Sequence, residues 1–160
     1  MNPEDCWEVE CPDEALVLIG CSDSKLDTPA PARDLYTGAL FCASVRWAES
    51  WHFDWAVLSA LHGFVEKDEV LEPYNATLTG KDWERHRLAN MTWPRLHHRG
   101  LPSTLIVLAG AEYVAAIMHP SYESARRGLH IWTPLQELPK RGLGYYRSWL
   151  TRNTNTTVVT

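Results

Sequence analysis

Chemistry-bearing side chains are densest in Gly20-Cys21-Ser22-Asp23-Ser24-Lys25. A glycine followed by small hydroxyl residues lets successive backbone N–H groups turn inward onto an anion, and a lysine adds a point charge. Ser22, Ser24 and Lys25 are therefore candidates to hold a phosphate, a carboxylate or a developing oxyanion. The same pattern also fits a tight turn whose serines satisfy local backbone groups. The phosphate loop G-x-x-x-x-G-K-[ST] is absent. Ser22-x-x-Lys25 matches the S-x-x-K of penicillin-recognising enzymes, but no S-D-N or K-T-G partner accompanies it. Cys21 is a candidate nucleophile beside Lys25 and a helix start. The alternative is a small buried residue at a strand end.

A second group is Ser59-Ala60-Leu61-His62-Gly63. His62 is a candidate general acid or base, since histidine titrates near neutral pH. Ser59 and Gly63 flank it as candidate substrate contacts. In Glu72-Pro73-Tyr74, the proline holds its neighbour extended. Glu72 is then presented as a base or as a partner for a sugar hydroxyl or base edge, and Tyr74 as a stacking platform. The alternative there is a surface loop. Arg33 and Tyr36 lie on the loop that carries Lys25. Gly110 and Glu112 follow a further apolar run, and the helix dipole favours Glu112 in a first turn whatever its role. The candidate catalytic set is Ser22, His62 and Glu72. The candidate binding set is Cys21, Ser24, Lys25, Arg33, Tyr36, Ser59, Gly63, Tyr74, Gly110 and Glu112.

The elements that must position these residues are legible as short apolar runs: Ala15–Ile19, Trp55–Leu58, Leu105–Ala109 and the weaker Leu129–Trp132. Each is nearly continuous rather than alternating, as in strands covered on both faces, which are usually parallel. Helical spacing fills the gaps. Asp34–Ser50 places Leu35, Ala39, Cys42 and Val45 on one stripe. Lys81–Trp93 ends or kinks at Pro94. Glu112–Met118 stops before Pro120. A last segment starts near Leu138 and ends with Tyr145–Leu150. This alternation predicts an α/β three-layer sandwich, Rossmann-like, with a mostly parallel sheet of four to five strands. Ligands in such sheets bind outside the carboxyl ends of the strands. Every candidate above follows such an end, whereas the opposite ends read Pro12-Asp13-Glu14, His52-Phe53-Asp54 and Pro102-Ser103-Thr104. One pocket lined by Ser22, Lys25, His62 and Glu72 is the expectation.

Composition bounds the rest. A chain of 160 residues, 45% hydrophobic and 22% charged, fits one soluble domain. We expect an acidic arm at 1–13, one domain at 14–150 and a frayed tail at 151–160. A net charge of −5 argues against coating nucleic acid nonspecifically, which needs excess Lys and Arg, but leaves room for a local basic pocket. Cys6, Cys11, Cys21 and Cys42 form no C-x-x-C pair, so neither a metal site nor a cofactor is expected. No signal-peptide pattern and no run of roughly 20 apolar residues is present, so a cytoplasmic protein without a membrane partner is expected.

Several of these segments together resemble an uncharacterised prokaryotic and phage domain family. They are Gly20–Lys25, Pro29-Ala-Pro-Ala-Arg33-Asp-Leu-Tyr36, Leu40-Phe41, Leu58–Gly63, Glu72–Leu78 and Leu143–Leu150, and the resemblance spans roughly residues 14–150. More distantly, Ile19–Asp27 is similar to the S-P-A-K-T-L-D motif of the peroxide-stress YaaA-type family, and Leu108–Tyr113 to its L-A-S-N-E-Y. Cys21-Ser22-x-x-Lys25 also looks like the C-S-A-K-K stretch in the C-terminal part of archaeosine synthase. Ser22 and Lys25 are common to all three patterns; Cys21 is not. These relatives bind DNA or modify a tRNA base. The resemblance thus implies an enzyme acting on a nucleobase, nucleotide or nucleic acid, by base modification, base exchange or glycosidic cleavage. A noncatalytic nucleotide- or nucleic-acid-binding module and a small-molecule hydrolase or transferase are the alternatives.

Overall fold

The computed structural model describes residues 14–156. In chain order the elements are β1 (Ala15–Gly20), β2 (Ala30–Pro31), α1 (Ala32–Leu35), α2 (Ala39–Ser50), β3 (Asp54–Ser59), β4 (Gly63–Glu66), β5 (Val70–Leu71), α3 (Asp82–Arg99), β6 (Thr104–Leu108), α4 (Ala111–Ile117), β7 (His130–Trp132) and α5 (Leu143–Arg152). Single 3₁₀ turns occupy Pro120–Tyr122, Ser124–Arg126 and Pro134–Glu137.

The fold is mixed α/β around a mostly parallel five-stranded sheet, in the order β4-β3-β1-β6-β7. β1 pairs in parallel with both β3 and β6, with Leu18 opposite Ala56 on one side and Val107 on the other. β7 continues the parallel set beside β6, and β4 closes the far edge antiparallel to β3. The continuous apolar runs exist because successive side chains enter two different cores. Val17 and Ile19 pack with Trp47 of α2 and Trp149 and Leu150 of α5. Leu16 and Leu18 pack with Leu88 and Trp93 of α3 and Ile117 of α4. Burying each such aliphatic side chain contributes about 1.5–3 kcal/mol. No helix among the described residues is long and apolar enough to cross a membrane.

Several local expectations change. The helix expected over Asp34–Ser50 breaks at Tyr36-Thr37-Gly38. Tyr36 bridges to Lys25, the Leu26 N–H donates to the Leu35 carbonyl, and the Thr37 N–H donates to the Ser24 carbonyl, so the chain turns to meet its own loop. α3 runs through Pro94 to Arg99. Pro94 and Asn90 are both exposed, so the bond that Pro94 cannot make is lost on the solvent side, while buried Trp93 and Leu96 hold the helix down. The hairpin strand β4 has no counterpart among the expected elements, because its residues show no alternation of their own. The last helix starts at Leu143 rather than Leu138, since Gly142 (φ 125°) interrupts the backbone. Beyond Leu150, α5 continues to Arg152. The Asn153 carbonyl accepts from Trp51 Nε1 and the Asn155 N–H donates to Ser50 Oγ, which ties the start of the expected tail to α2. The acidic arm 1–13 and residues 157–160 lie outside the described residues.

Candidate functional site

The connections leaving β1 and β6 diverge. After β1 the chain enters α2, on the Val17/Ile19 side of the sheet; after β6 it enters α4, on the Leu16/Leu18 side. Adjacent parallel strands whose connections part in this way leave a crevice beyond their carboxyl ends. A cavity of 570 Å³ lies there. Its floor is Gly20–Ser24, and its walls are Gly38–Phe41 at the start of α2 and Gly110–Tyr113 at the start of α4. Thr77 and Leu78 close one side, and Leu143, Gly144 and Arg147 of α5 form the mouth. A volume of this order suits a small-molecule ligand.

The three helices α2, α4 and α5 begin at Gly38, Gly110 and Gly142, none of which has a side chain to cap the first turn. The first N–H groups of a helix have no intrahelical acceptor. Here their first-turn residues line a cavity, where an anion can supply acceptors. Gly38 is required by close approach: a Cβ there would lie 2.5 Å from Ser22 Cβ. Its N–H donates to Ser22 Oγ at 3.2 Å, and that hydroxyl donates to the Ser24 carbonyl at 2.7 Å. Ser22 therefore shapes the cavity floor, with its proton already committed. Glu112 is likewise engaged: Arg85 Nε donates to Oε2 at 2.9 Å and Nη2 to Oε1 at 3.0 Å. Cys21 Sγ accepts from the Ala60 N–H at 3.4 Å and lies 3.3 Å from the Tyr113 hydroxyl, whose pKa burial pushes up.

The other sequence candidates gather on the opposite flank of β1, against the end of β3. Tyr36 Oη lies 2.6 Å from Tyr74 Oη, which lies 2.6 Å from Ser59 Oγ. The N–H groups of Leu61 and His62 both donate to Ser59 Oγ, at 3.2 and 3.0 Å. A hydroxyl has two acceptor sites and one proton. Ser59 must then donate to Tyr74, and Tyr74 to Tyr36, so the chain of hydroxyls has one direction. Burial raises the pKa of both tyrosines. Lys25 Nζ sits 4.5 Å from the Tyr74 ring centroid and 5.7 Å from that of Tyr36, within cation–π range. The His62 ring meets the Tyr74 ring edge-on at 5.1 Å. Burial lowers the His62 pKa; nearby Glu69 opposes this, and Arg95 and Arg87 add to it.

Among the described residues, Ser22 lines the cavity without Lys25, His62 or Glu72, so the expected four do not share it. Cys21, Ser22, Ser24, Gly110 and Glu112 line the cavity, whereas Lys25, Tyr36, Ser59, His62 and Tyr74 form the hydroxyl cluster. Lys25 and His62 do flank one ring, that of Tyr74. Glu72 is exposed and enters neither group. Arg33 pairs with Asp68 at the surface. Gly63 (φ 70°) serves packing, since a Cβ there would lie 2.6 Å from Met91 Cβ. Gly38, Tyr113 and Arg147 are cavity residues that sequence reasoning does not select. Gly38 carries a signal, a glycine between two helical stretches. Arg147 lies in the resembling segment Leu143–Leu150, but no local spacing assigns it to the cavity, because α5 docks from far along the chain.

A family model described as "Family of unknown function (DUF6884)" matches residues 16–152. The chain is also similar to the "Uncharacterized protein YfjM" of Bacillus subtilis (strain 168), 26% identical over 145 residues that cover 86% of this chain and 93% of that relative. No solved structure gives a significant match.

Proposed function

The chain belongs to the DUF6884 family, and on that premise we propose that it is an enzyme that binds a nucleotide unit in the β1/β6 crevice and acts at its base. The carrying observation is the 570 Å³ cavity ringed by three helix starts without side-chain caps, with Arg147 at its mouth. Backbone N–H groups and a guanidinium are the donors a phosphate needs. Leu40, Phe41, Leu78 and Tyr113 supply apolar wall for a planar ring. Cys21 on the floor and the Tyr113 hydroxyl of the adjoining wall, 3.3 Å apart, are the groups that would meet the reacting atoms. We infer with it a three-layer, Rossmann-like arrangement and a cytoplasmic location. The likeness of Ile19–Asp27 to the YaaA-type motif and of Cys21–Lys25 to archaeosine synthase supports a base-directed reaction.

A noncatalytic nucleotide-binding module is the second reading. One observation favours it: Ser22 and Glu112 are already bonded, and His62 lies on the other flank of β1. Titration calorimetry with purine and pyrimidine nucleoside monophosphates tests binding, and chromatography of the same mixtures tests turnover. Micromolar binding with product formation supports the enzyme. Binding without product, for free nucleotides and for oligonucleotides alike, supports the module. No binding of any nucleotide overturns both.

A further inference from the structure

The basic residues of this acidic chain are unevenly engaged. Arg33, Lys67, Arg85 and Arg99 form ion pairs with carboxylates. Arg87, Arg95 and Arg126 donate to backbone carbonyls of neighbouring segments. Lys25, Arg46, Lys81 and Arg127 also form no ion pair among the described residues but are dispersed along the chain, whereas residues 138–152 concentrate such cations. They contain Lys140, Arg141, Arg147 and Arg152 and no acidic residue, in a chain of net charge −5. None of these four forms an ion pair among the described residues. Arg141 reaches only the neutral Gln136 side chain, and Arg152 only the Ser148 carbonyl one turn earlier.

Large apolar side chains stand among these charges. Leu143 is 66% exposed and Tyr145 49% exposed, and Lys140 Nζ lies 5.5 Å from the centre of the Tyr145 ring. Tyr146, Trp149 and Leu150 anchor α5 in the core, so the remaining arc of the helix faces solvent as a rigid surface. This arc is continuous with the cavity, because Leu143, Gly144 and Arg147 form its mouth. An aromatic platform interleaved with unneutralised cations is the chemistry that tracks an unpaired strand, with cations on phosphates and the ring under a base.

We propose that the exposed arc of α5 binds single-stranded nucleic acid and delivers one nucleotide of it into the β1/β6 cavity. Lys140, Arg141 and Arg152 hold flanking phosphates, and Tyr145 stacks on a neighbouring base. A single strand is favoured over a duplex, because a base must be unpaired and unstacked before it can enter a cavity. The acidic remainder of the surface keeps the strand on this one stripe. The proposal rests on the nucleotide reading of the cavity but adds a polymer to it.

The test compares a fluorescein-labelled 12-mer single strand, the matching duplex, a nucleoside monophosphate and phosphatidylserine vesicles, at several salt concentrations. The variants are Lys140→Gln/Arg141→Gln/Arg152→Gln and Tyr145→Ala, all at exposed positions outside the cavity lining. The wild type should bind the single strand more tightly than either the duplex or the monophosphate. The triple variant should lose at least tenfold in strand affinity and lower the salt slope by about 2, at roughly 0.7 for each phosphate no longer neutralised. Tyr145→Ala should lose about tenfold with little change in slope. Both variants should bind the monophosphate as the wild type does. A strand bound no more tightly than the monophosphate, or equally well by the triple variant, overturns the proposal. Vesicle binding in place of the strand overturns it in favour of a lipid surface. Strand binding through α5 with no monophosphate binding would remove the cavity reading and leave the α5 surface standing.

Discussion

Two polar clusters flank the carboxyl end of β1, and they differ in how completely their hydrogen bonds are met. On the β3 side, Ser59, Tyr74 and Tyr36 run in one directed chain that also takes up two backbone N–H groups. On the β6 side, three helix starts without side-chain caps face a cavity. Both clusters contain the residue types expected of an active site. The hydroxyl cluster meets every bond of Ser59 and leaves only the terminal Tyr36 proton to seek an acceptor, so most of its capacity goes into fixing the shape of the loop around it. At the cavity the Gly38 and Tyr113 N–H groups are met by Ser22 Oγ and the Gly110 carbonyl, while the capping glycines offer no side chain to the other first-turn donors. Cys21 stands between them, with its sulfur accepting from Ala60 on one side and its neighbour Tyr113 on the other. The difference teaches that polar residue type locates the strand ends, and that remaining bonding capacity is what tells the two clusters apart.

The sharpest way to break that distinction is Ser59→Ala. Ser59 is fully buried, and the change strands two N–H groups and the partner of the Tyr74 hydroxyl. Each buried group left unpaired costs about 1–3 kcal/mol, so a loss of about 3 kcal/mol is expected in denaturant unfolding. Affinity in the cavity should stay within about twofold once the protein is folded. A stable Ser59→Ala protein that has lost ligand binding would reverse the assignment of the two clusters.

Arg147→Gln is the complementary change. Arg147 is exposed and makes no ion pair among the described residues, so stability should move by less than about 0.5 kcal/mol. Removing a charge-assisted bond to a phosphate costs about 2 kcal/mol, or roughly thirtyfold in affinity. Calorimetry with a nucleoside monophosphate reads it. Unchanged affinity would show that the cavity mouth holds no anion.

The direction of the hydroxyl chain gives a finer grading. Tyr74→Phe leaves the Ser59 proton without an acceptor, and Tyr36→Phe leaves the Tyr74 proton so. Each should cost about 1 kcal/mol, well short of Ser59→Ala. A Tyr36→Phe loss equal to that of Ser59→Ala would show that the two backbone N–H groups on Ser59 contribute nothing and that the grading is wrong.

These contrasts mark what a sequence can and cannot carry. The strands are legible because a sheet buried on both faces leaves continuous apolar runs such as Ala15–Ile19. Ser22, Ser24, Gly110 and Glu112 are legible as cavity residues because chain position alone puts them past a strand end. The division between clusters is not legible. Whether Tyr74 meets Ser59 or a ligand depends on how the 60–74 hairpin folds back, and β4 has no period of its own to announce it. Arg147 belongs to a helix whose docking is decided by Trp149 and Leu150 packing against α2, between residues distant in the chain. Pro94 misleads for a related reason: tertiary anchoring outweighs local propensity in α3.

The smallest expected effect concerns pH and again tests the hydroxyl side. Burial, the largest cause, lowers the His62 pKa below the ordinary value of 6.5. The unfolded chain therefore binds a proton at His62 before the native protein does. Stability rises with pH wherever the unfolded state holds more protons. The contribution of His62 is thus fully present above pH 6.5 and declines as pH falls below it, until the folded group also protonates. His62→Gln should flatten that part of the stability–pH curve while leaving the pH dependence of cavity binding as in the wild type. Urea midpoints measured between about pH 7.5 and 5.5 for both proteins give the difference directly. If His62→Gln instead shifts the pH profile of ligand binding or turnover, the imidazole serves the cavity from across β1, and the two clusters act as one.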